Sequence, residues 1–142
     1  MAKNASPATL FELAQAEAHR QHRLRTEQLE RARATLAELQ KDAQALEAAG
    51  IDLDLDNNFL WNYAERAFYA SQIYLRGQRN NQPLLDLLLA RGWALVARTN
   101  TTASWDTARL KRGRYRLIVG DLPALSEEQP QATAQSSEAT PA

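Results

Sequence analysis

The chain has no cysteine, which excludes disulfide bonds, thiolate nucleophiles and cysteine-ligated zinc sites. It has no apolar run near the roughly 20 residues that cross a bilayer. Its start also lacks the charged and then apolar pattern of a secretion signal. These absences predict a protein without a membrane anchor in a reducing compartment, with the cytoplasm as the expected location.

Motifs for catalysis are also missing. The sequence contains no glycine-rich phosphate loop, no G-x-S-x-G elbow and no H-E-x-x-H pair. Its two histidines, His19 and His22, lie in one helical segment without a companion nucleophile, and neighbouring arginines disfavour a bound cation there. We therefore expect a protein that is not an enzyme and holds no cofactor.

One acidic segment has the ligand spacing of a calcium loop, formed by Asp54, Asp56, Asn58, Asn62 and Glu65. Phe59 stands where such a loop needs glycine for its sharp turn. A bulky residue resists the left-handed backbone at that point. An acidic strand followed by a helix cap explains the same residues, so no metal site is predicted.

The formal net charge of zero conceals a separation of charge along the chain. Residues 93–120 carry six basic side chains against one acidic side chain, and residues 121–142 carry four acidic side chains and no basic one. The overall balance therefore says little about partners, because the field around the basic segment is positive.

The sequence predicts an α+β fold with a flexible leader over 1–8, a helix over 9–50, a small body over 51–121 and a disordered acidic tail over 122–142. The long helix begins with a capping box, Thr9 with Glu12, and runs without glycine or proline to Ala49. Its length of about 40 residues corresponds to about 60 Å.

The second half of this helix carries an apolar seam at heptad spacing. We predict a homodimer through this seam, with the interface residues Leu29, Ala32, Leu36, Leu39 and Leu46. The alternative is that the seam packs against the protein's own body, since short heptad runs are common on amphipathic helices.

In the body, we expect a strand at 51–56, a helix from 59 to about 76 and a short helix from Pro83 to Gly92. A small antiparallel sheet then combines a strand at 93–99 with a hairpin, and 51–56 is a candidate edge strand. The expected core comprises Leu53, Leu60, Phe68, Leu84, Leu88, Trp93, Leu95, Leu110 and Leu117.

The segment at 107–119, TARLKRGRYRLIV, predicts a β-hairpin with its tight turn at 112–113. Side chains alternate along a strand, so the basic residues share one face and the apolar residues the other. The predicted basic pairs are Lys111 with Arg114 and Arg109 with Arg116. Like charges directly opposite each other destabilise a ladder, so this hairpin calls for an anionic neighbour.

Three neighbours would satisfy that need: nucleic acid, an acidic partner protein, or the chain's own carboxylates. Internal candidates are the acidic tail and the aspartates of 51–56, which are Asp52, Asp54 and Asp56. We predict a regulatory protein that binds nucleic-acid backbone through Arg109, Lys111, Arg112, Arg114 and Arg116, with Trp105 near for stacking. The alternative is a protein–protein adaptor or inhibitor that acts through the helix seam and the surface formed by the aromatic residues of 59–76. In that case the basic hairpin is neutralised internally or by an acidic protein partner.

Overall fold

The computed structural model describes residues 7–56 and 60–125. The element order is α1 (Leu10–Leu39), a 3₁₀ turn (Gln40–Asp42), α2 (Ala43–Ala48), β1 (Trp61–Asn62), β2 (Ala67–Tyr69), α3 (Gln82–Ala90), β3 (Ala94–Asn100), β4 (Trp105–Arg112) and β5 (Tyr115–Pro123). The predicted α+β class is confirmed, because a long N-terminal helix is combined with a five-stranded sheet.

The long helix begins as its sequence predicts. Glu12 N–H donates to Thr9 Oγ1 at 3.1 Å, and Thr9 N–H donates to Glu12 Oε1 at 2.9 Å. These two bonds form the capping box and satisfy backbone N–H groups that have no acceptor within the helix. The helical path ends before Gly50, whose φ of +74° is a left-handed conformation that glycine adopts at little cost.

The long helix packs against the body through one stripe in its second half. The buried positions recur at intervals of three and four residues: Ala32, Thr35, Leu39, Asp42 and Leu46. The first half has no such stripe, and Leu10 and Phe11 are 84% and 73% exposed. The second half therefore belongs to the core, whereas the N-terminal end extends into solvent.

The sheet has the order β1-β2-β5-β4-β3. It is mixed rather than purely antiparallel as predicted, because β2 pairs with β5 in parallel. The helices cover one face, where side chains from α1, α2 and α3 join those of β4 and β5 in a single apolar cluster. The opposite face of the β4–β5 pair, which we call the outer face, does not contribute to this cluster.

The predicted helix from 59 to 76 is wrong over the residues described from 60 onward, which form β1, β2 and irregular loops. Trp, Tyr and Phe favour strands where they pack against cross-strand neighbours, and here Trp61 lies opposite Phe68. The turn between β1 and β2 is fixed locally, since Glu65 N–H donates to the side-chain oxygen of Asn62 at 2.8 Å. Arg66 completes it in the left-handed region with φ of +53°.

The acidic segment at 51–56 is not a strand of the main sheet. It forms one isolated bridge, between Leu53 and Gln72. Its backbone also exchanges hydrogen bonds with the following loop, through Asp54 N–H to Ser71 O and Ile73 N–H to Asp52 O. It therefore pairs with the loop after β2 and not with the hairpin.

Most of the expected core is buried, and Leu53 and Leu95 are half-buried at its margin. The predicted boundary of the tail at 122 is too early. Residue Leu122 is fully buried and β5 continues to Pro123, because Leu122 pairs with Asp106 across the ladder. The remainder of the predicted tail, 126–142, and most of the predicted leader lie outside the described residues.

Candidate nucleic-acid interface

Strands β4 and β5 form an antiparallel pair whose turn consists of Gly113 and Arg114. The predicted turn at 112–113 lies one residue too early, because Gly113 takes the left-handed position with φ of +65°. The pairing is consequently shifted by two residues. Lys111 lies opposite Arg116, and Arg109 lies opposite Ile118.

The corrected register places Arg109, Lys111 and Arg116 on the outer face. Lys111 and Arg116 form a cross-strand pair of like charges, and both side chains are exposed. Within the described residues, neither has a carboxylate within ion-pair distance. Such a rung destabilises a free ladder and leaves two cations available to an external anion.

Arg112 lies on the other face, beside Leu110. All five N–H donors of its guanidinium are used: they reach the carboxylates of Glu38 and Asp42 and the backbone oxygens of Glu38 and Arg91 at 2.8–3.1 Å. The same group stacks over the Trp93 ring, 4.5 Å from its centroid. Arg112 thus makes all its hydrogen bonds within the protein and has no N–H donor left for a phosphate.

Asp42 is the centre of this buried network. Its carboxylate is fully buried and accepts hydrogen bonds from Arg112, from Trp93 Nε1 and from Arg91. Burial by itself would raise the pKa of Asp42, but these hydrogen bonds outweigh it and hold the pKa below the usual aspartate value. Asp42 therefore stays charged and neutralises Arg112 from within.

Arg109 has one partner of its own. Its Nε and Nη2 donate to the two carboxylate oxygens of Glu65 at 2.7 and 2.9 Å, a bidentate pair. The hydrogen bonds from Arg109 lower the pKa of Glu65 against the opposing effect of burial, and the charge of Arg116 adds to the lowering. Within the described part of the chain, this pair is where an acidic side chain reaches the outer face.

Two other predicted contact residues, Arg114 and Trp105, lie at opposite ends of the β4–β5 hairpin. The Arg114 guanidinium stands 5.1 Å from the ring centroid of Tyr115 and donates to its hydroxyl at 3.1 Å. Trp105 begins β4, seven residues before Arg112, so that about 23 Å of strand separates it from the turn. The Trp105 ring is covered by Arg79 instead. The structure therefore does not bring Trp105 to the basic turn.

No family model, curated protein or solved structure matches this chain. No helix within 7–56 and 60–125 is both long and apolar enough to cross a membrane. Those residues also contain no group of three or more histidine, aspartate or glutamate side chains arranged to hold a metal ion. The calcium-like spacing includes Asn58, which lies outside the described residues.

The predicted dimer seam is mostly occupied by the protein's own core. Ala32, Leu39 and Leu46 are buried and Leu36 packs against the core margin, while Leu29 is exposed. These four residues therefore pack against the protein's own body, which was the alternative interpretation of the seam. Dimerisation stays a prediction, and Leu29 is the exposed member of the predicted seam.

One of the two internal candidates for the counter-charge is wrong, and the other, the acidic tail, lies mostly outside the described residues. The aspartates of 51–56 do not reach the hairpin: Asp56 pairs with Arg25 at 3.2 Å. Among the residues that the structure describes, the acids that reach it are Glu38, Asp42 and Glu65. The burial of Asp42 could have been predicted from the sequence, because Asp42 falls on the same helical stripe as Leu39 and Leu46. A carboxylate on an apolar stripe requires a buried cation or hydrogen-bond donors.

Proposed function

We propose that this protein is a non-enzymatic binding protein that contacts nucleic-acid backbone through Lys111, Arg114 and Arg116. The observation that carries the proposal is the exposed like-charged rung of Lys111 and Arg116. An external polyanion relieves the repulsion of this rung, and Arg114 in the adjoining turn adds a third cation.

The proposed contact does not read sequence. Lysine and arginine bind phosphate oxygens irrespective of the base, whereas base reading needs side chains placed against base edges. The short helix α3 is unsuited to that task, because its sequence QPLLDLLLA is nearly all apolar and three of its leucines are buried. Backbone binding therefore fits the available groups better than recognition of a base sequence.

Three phosphate contacts imply a measurable salt response. The logarithm of the association constant should fall with a slope of about −2 on single strands and about −3 on duplexes. Between about 50 and about 200 mM salt, affinity should drop about 20- to 40-fold. Binding that is weak and salt-sensitive is the expected behaviour.

The test is fluorescence anisotropy with labelled single-stranded and duplex oligonucleotides at low and near-physiological salt. The variant Lys111→Glu/Arg116→Glu should lose binding. The control Arg23→Glu/Arg31→Glu makes the same change of charge on exposed residues of α1 and should retain it. Circular dichroism establishes that all three proteins fold. A folded wild type that does not bind at low salt, or equal loss in both variants, would contradict the proposal.

A second candidate function is protein binding through the N-terminal end of α1. Leu10, Phe11 and Leu13 are exposed on the first turns of a helix that projects from the body. A contact through this apolar end should respond little to salt. Sedimentation of wild type and Phe11→Glu over a range of concentrations tests its simplest form, self-association. A mass that stays monomeric would rule out a homodimer through this end.

A further inference from the structure

The turn between β1 and β2 places the carboxylate of Glu65 at the outer face. The Asn62 side chain accepts from the backbone N–H of Glu65, and Arg66 holds a left-handed conformation immediately afterwards. Both features define the path of this short turn. As a result, Glu65 meets Arg109, which stands 44 residues later in the sequence.

The Glu65–Arg109 pair has the geometry of a phosphate contact. Two parallel N–H donors of one guanidinium meet two oxygens of one anion at 2.7 and 2.9 Å. Arginine forks bind carboxylate and phosphate in this same bidentate manner. Arg109 also lies on the face of Lys111 and Arg116, with its Cα about 7 Å from that of Lys111 along β4.

The pair is also easy to exchange, in contrast to the buried Arg112 network. The side chains of Arg109 and Glu65 are 36% and 34% exposed, and Arg112 is 19% exposed with every donor used. Ion pairs in contact with water contribute little net stability. An incoming phosphate therefore displaces Glu65 at small cost, whereas it has no comparable access to Arg112.

We infer that Glu65 acts as an internal phosphate mimic that occupies Arg109 until a nucleic-acid backbone displaces it. This inference rests on the proposed binding function and names a regulation of that same site. Glu65 sets the affinity by competition, because the complete site has four cations and the free protein presents three. A backbone phosphate that takes the place of Glu65 joins Arg109 to the row formed by Lys111 and Arg116.

The experiment compares Glu65→Gln with wild type in the anisotropy assay, using a labelled oligothymidylate single strand and a duplex of equal length. Glutamine keeps the size of the side chain and removes the charge that competes. One added phosphate contact should make the salt slope steeper by about 0.7 to 0.9 and tighten binding about tenfold at about 50 mM salt. Circular dichroism and thermal unfolding establish that the variant is folded.

Two controls separate displacement from a general effect of charge. Glu47→Gln removes an exposed carboxylate that makes no ion pair within the described residues, and it should give a much smaller gain and no change of slope. Glu65→Gln/Arg109→Gln should cancel the gain, because the freed guanidinium is gone.

A gain that requires Arg109 supports the inference. A wild type that binds, together with a Glu65→Gln variant that shows no more gain than Glu47→Gln, overturns the inference and leaves the proposed function standing. A gain that survives removal of Arg109 overturns it as well. Folded wild type and Glu65→Gln proteins that both fail to bind at low salt overturn the proposed function itself.

Discussion

The carboxylate of Asp42 accepts a hydrogen bond from the indole nitrogen of Trp93 at 3.0 Å, across 51 positions of sequence. Both side chains are buried, and the ring of Trp93 also lies beneath the guanidinium of Arg112. The 3₁₀ turn after α1, the residue that precedes β3 and the end of β4 are thus joined around one charged group.

Replacing Asp42 by Asn should lower the free energy of unfolding by about 3 kcal/mol or more, because Arg112 then keeps a buried charge without its main counter-ion. Denaturant titration measures the loss. Asp52→Asn is the matched control, since Asp52 is exposed, and it should change stability by less than about 0.5 kcal/mol. Equal stabilities of the two variants would contradict the role assigned to the network.

The same variant has a predicted pH dependence. Because the pKa of Asp42 is lowered in the folded state, its stabilising effect is complete above the ordinary value of 3.8 and is lost as the pH falls below it. The difference in unfolding free energy between wild type and Asp42→Asn should therefore shrink under acid conditions. Denaturant titrations repeated at successively lower pH measure this difference, and a constant difference would count against the assigned ionisation.

Lys111→Glu should stabilise the protein while it weakens nucleic-acid binding. The change converts the rung with Arg116 from a like-charged pair into an opposite-charged one, worth a few tenths to about 1 kcal/mol. Thermal unfolding and anisotropy measured on the same preparation would show the opposing effects. A variant that loses both stability and binding would point to a structural role for Lys111 instead.

Leu39→Ala and Leu13→Ala distinguish core from solvent on the same helix. Leu39 is 3% exposed, so its truncation should cost about 2–5 kcal/mol, whereas truncation of the 55% exposed Leu13 should cost less than about 0.5 kcal/mol. Denaturant unfolding at several protein concentrations provides the comparison. A loss at Leu39 that depends on protein concentration would restore the predicted dimer seam.

Tyr74 should ionise at a higher pH than an ordinary tyrosine. Burial, followed by its hydrogen bond to Asp121 at 2.6 Å, raises the pKa of Tyr74 to about 12. Its neutral form thus stabilises the fold below the usual value of 10.0, and that contribution is lost as the pH rises toward 12. Phenolate absorbance should lose a component near pH 12 in Tyr74→Phe, while Tyr63→Phe, an exposed site, should keep it.

Sequence reasoning succeeded where the determining interactions are local. The capping box of Thr9 and Glu12, the glycine that ends the first helical segment and the alternation of 107–119 each depend on residues a few positions apart. The predicted register of the hairpin was wrong by two residues, because the left-handed Gly113 shifts the turn by one residue. That small error matters for function, since it decides that Lys111 faces Arg116.

The remaining errors arise from contacts between distant segments. Apolar residues between 60 and 76 lie roughly at helical spacing, but the pairing of β1 with β2 and of β2 with β5 determined the conformation of Trp61, Phe68 and Tyr69. The ion pairs also join residues that are far apart in the sequence. Glu38 pairs with Arg112 across 74 positions, and Glu65 pairs with Arg109 across 44. Composition revealed that the hairpin needs anions, and only the fold identifies which ones reach it.

The strand order has a consequence for how the chain acquires its structure. β5, the last strand in sequence, is the middle strand of the sheet and separates β2 from β4. β1 and β2 can therefore pair with each other early, but β2 has no second neighbour until β5 is present. The β4–β5 hairpin can close first through short-range contacts, and the earlier segments then dock onto it at a larger cost in loop entropy. The two halves of the sheet are accordingly joined only once β5 has taken its central position.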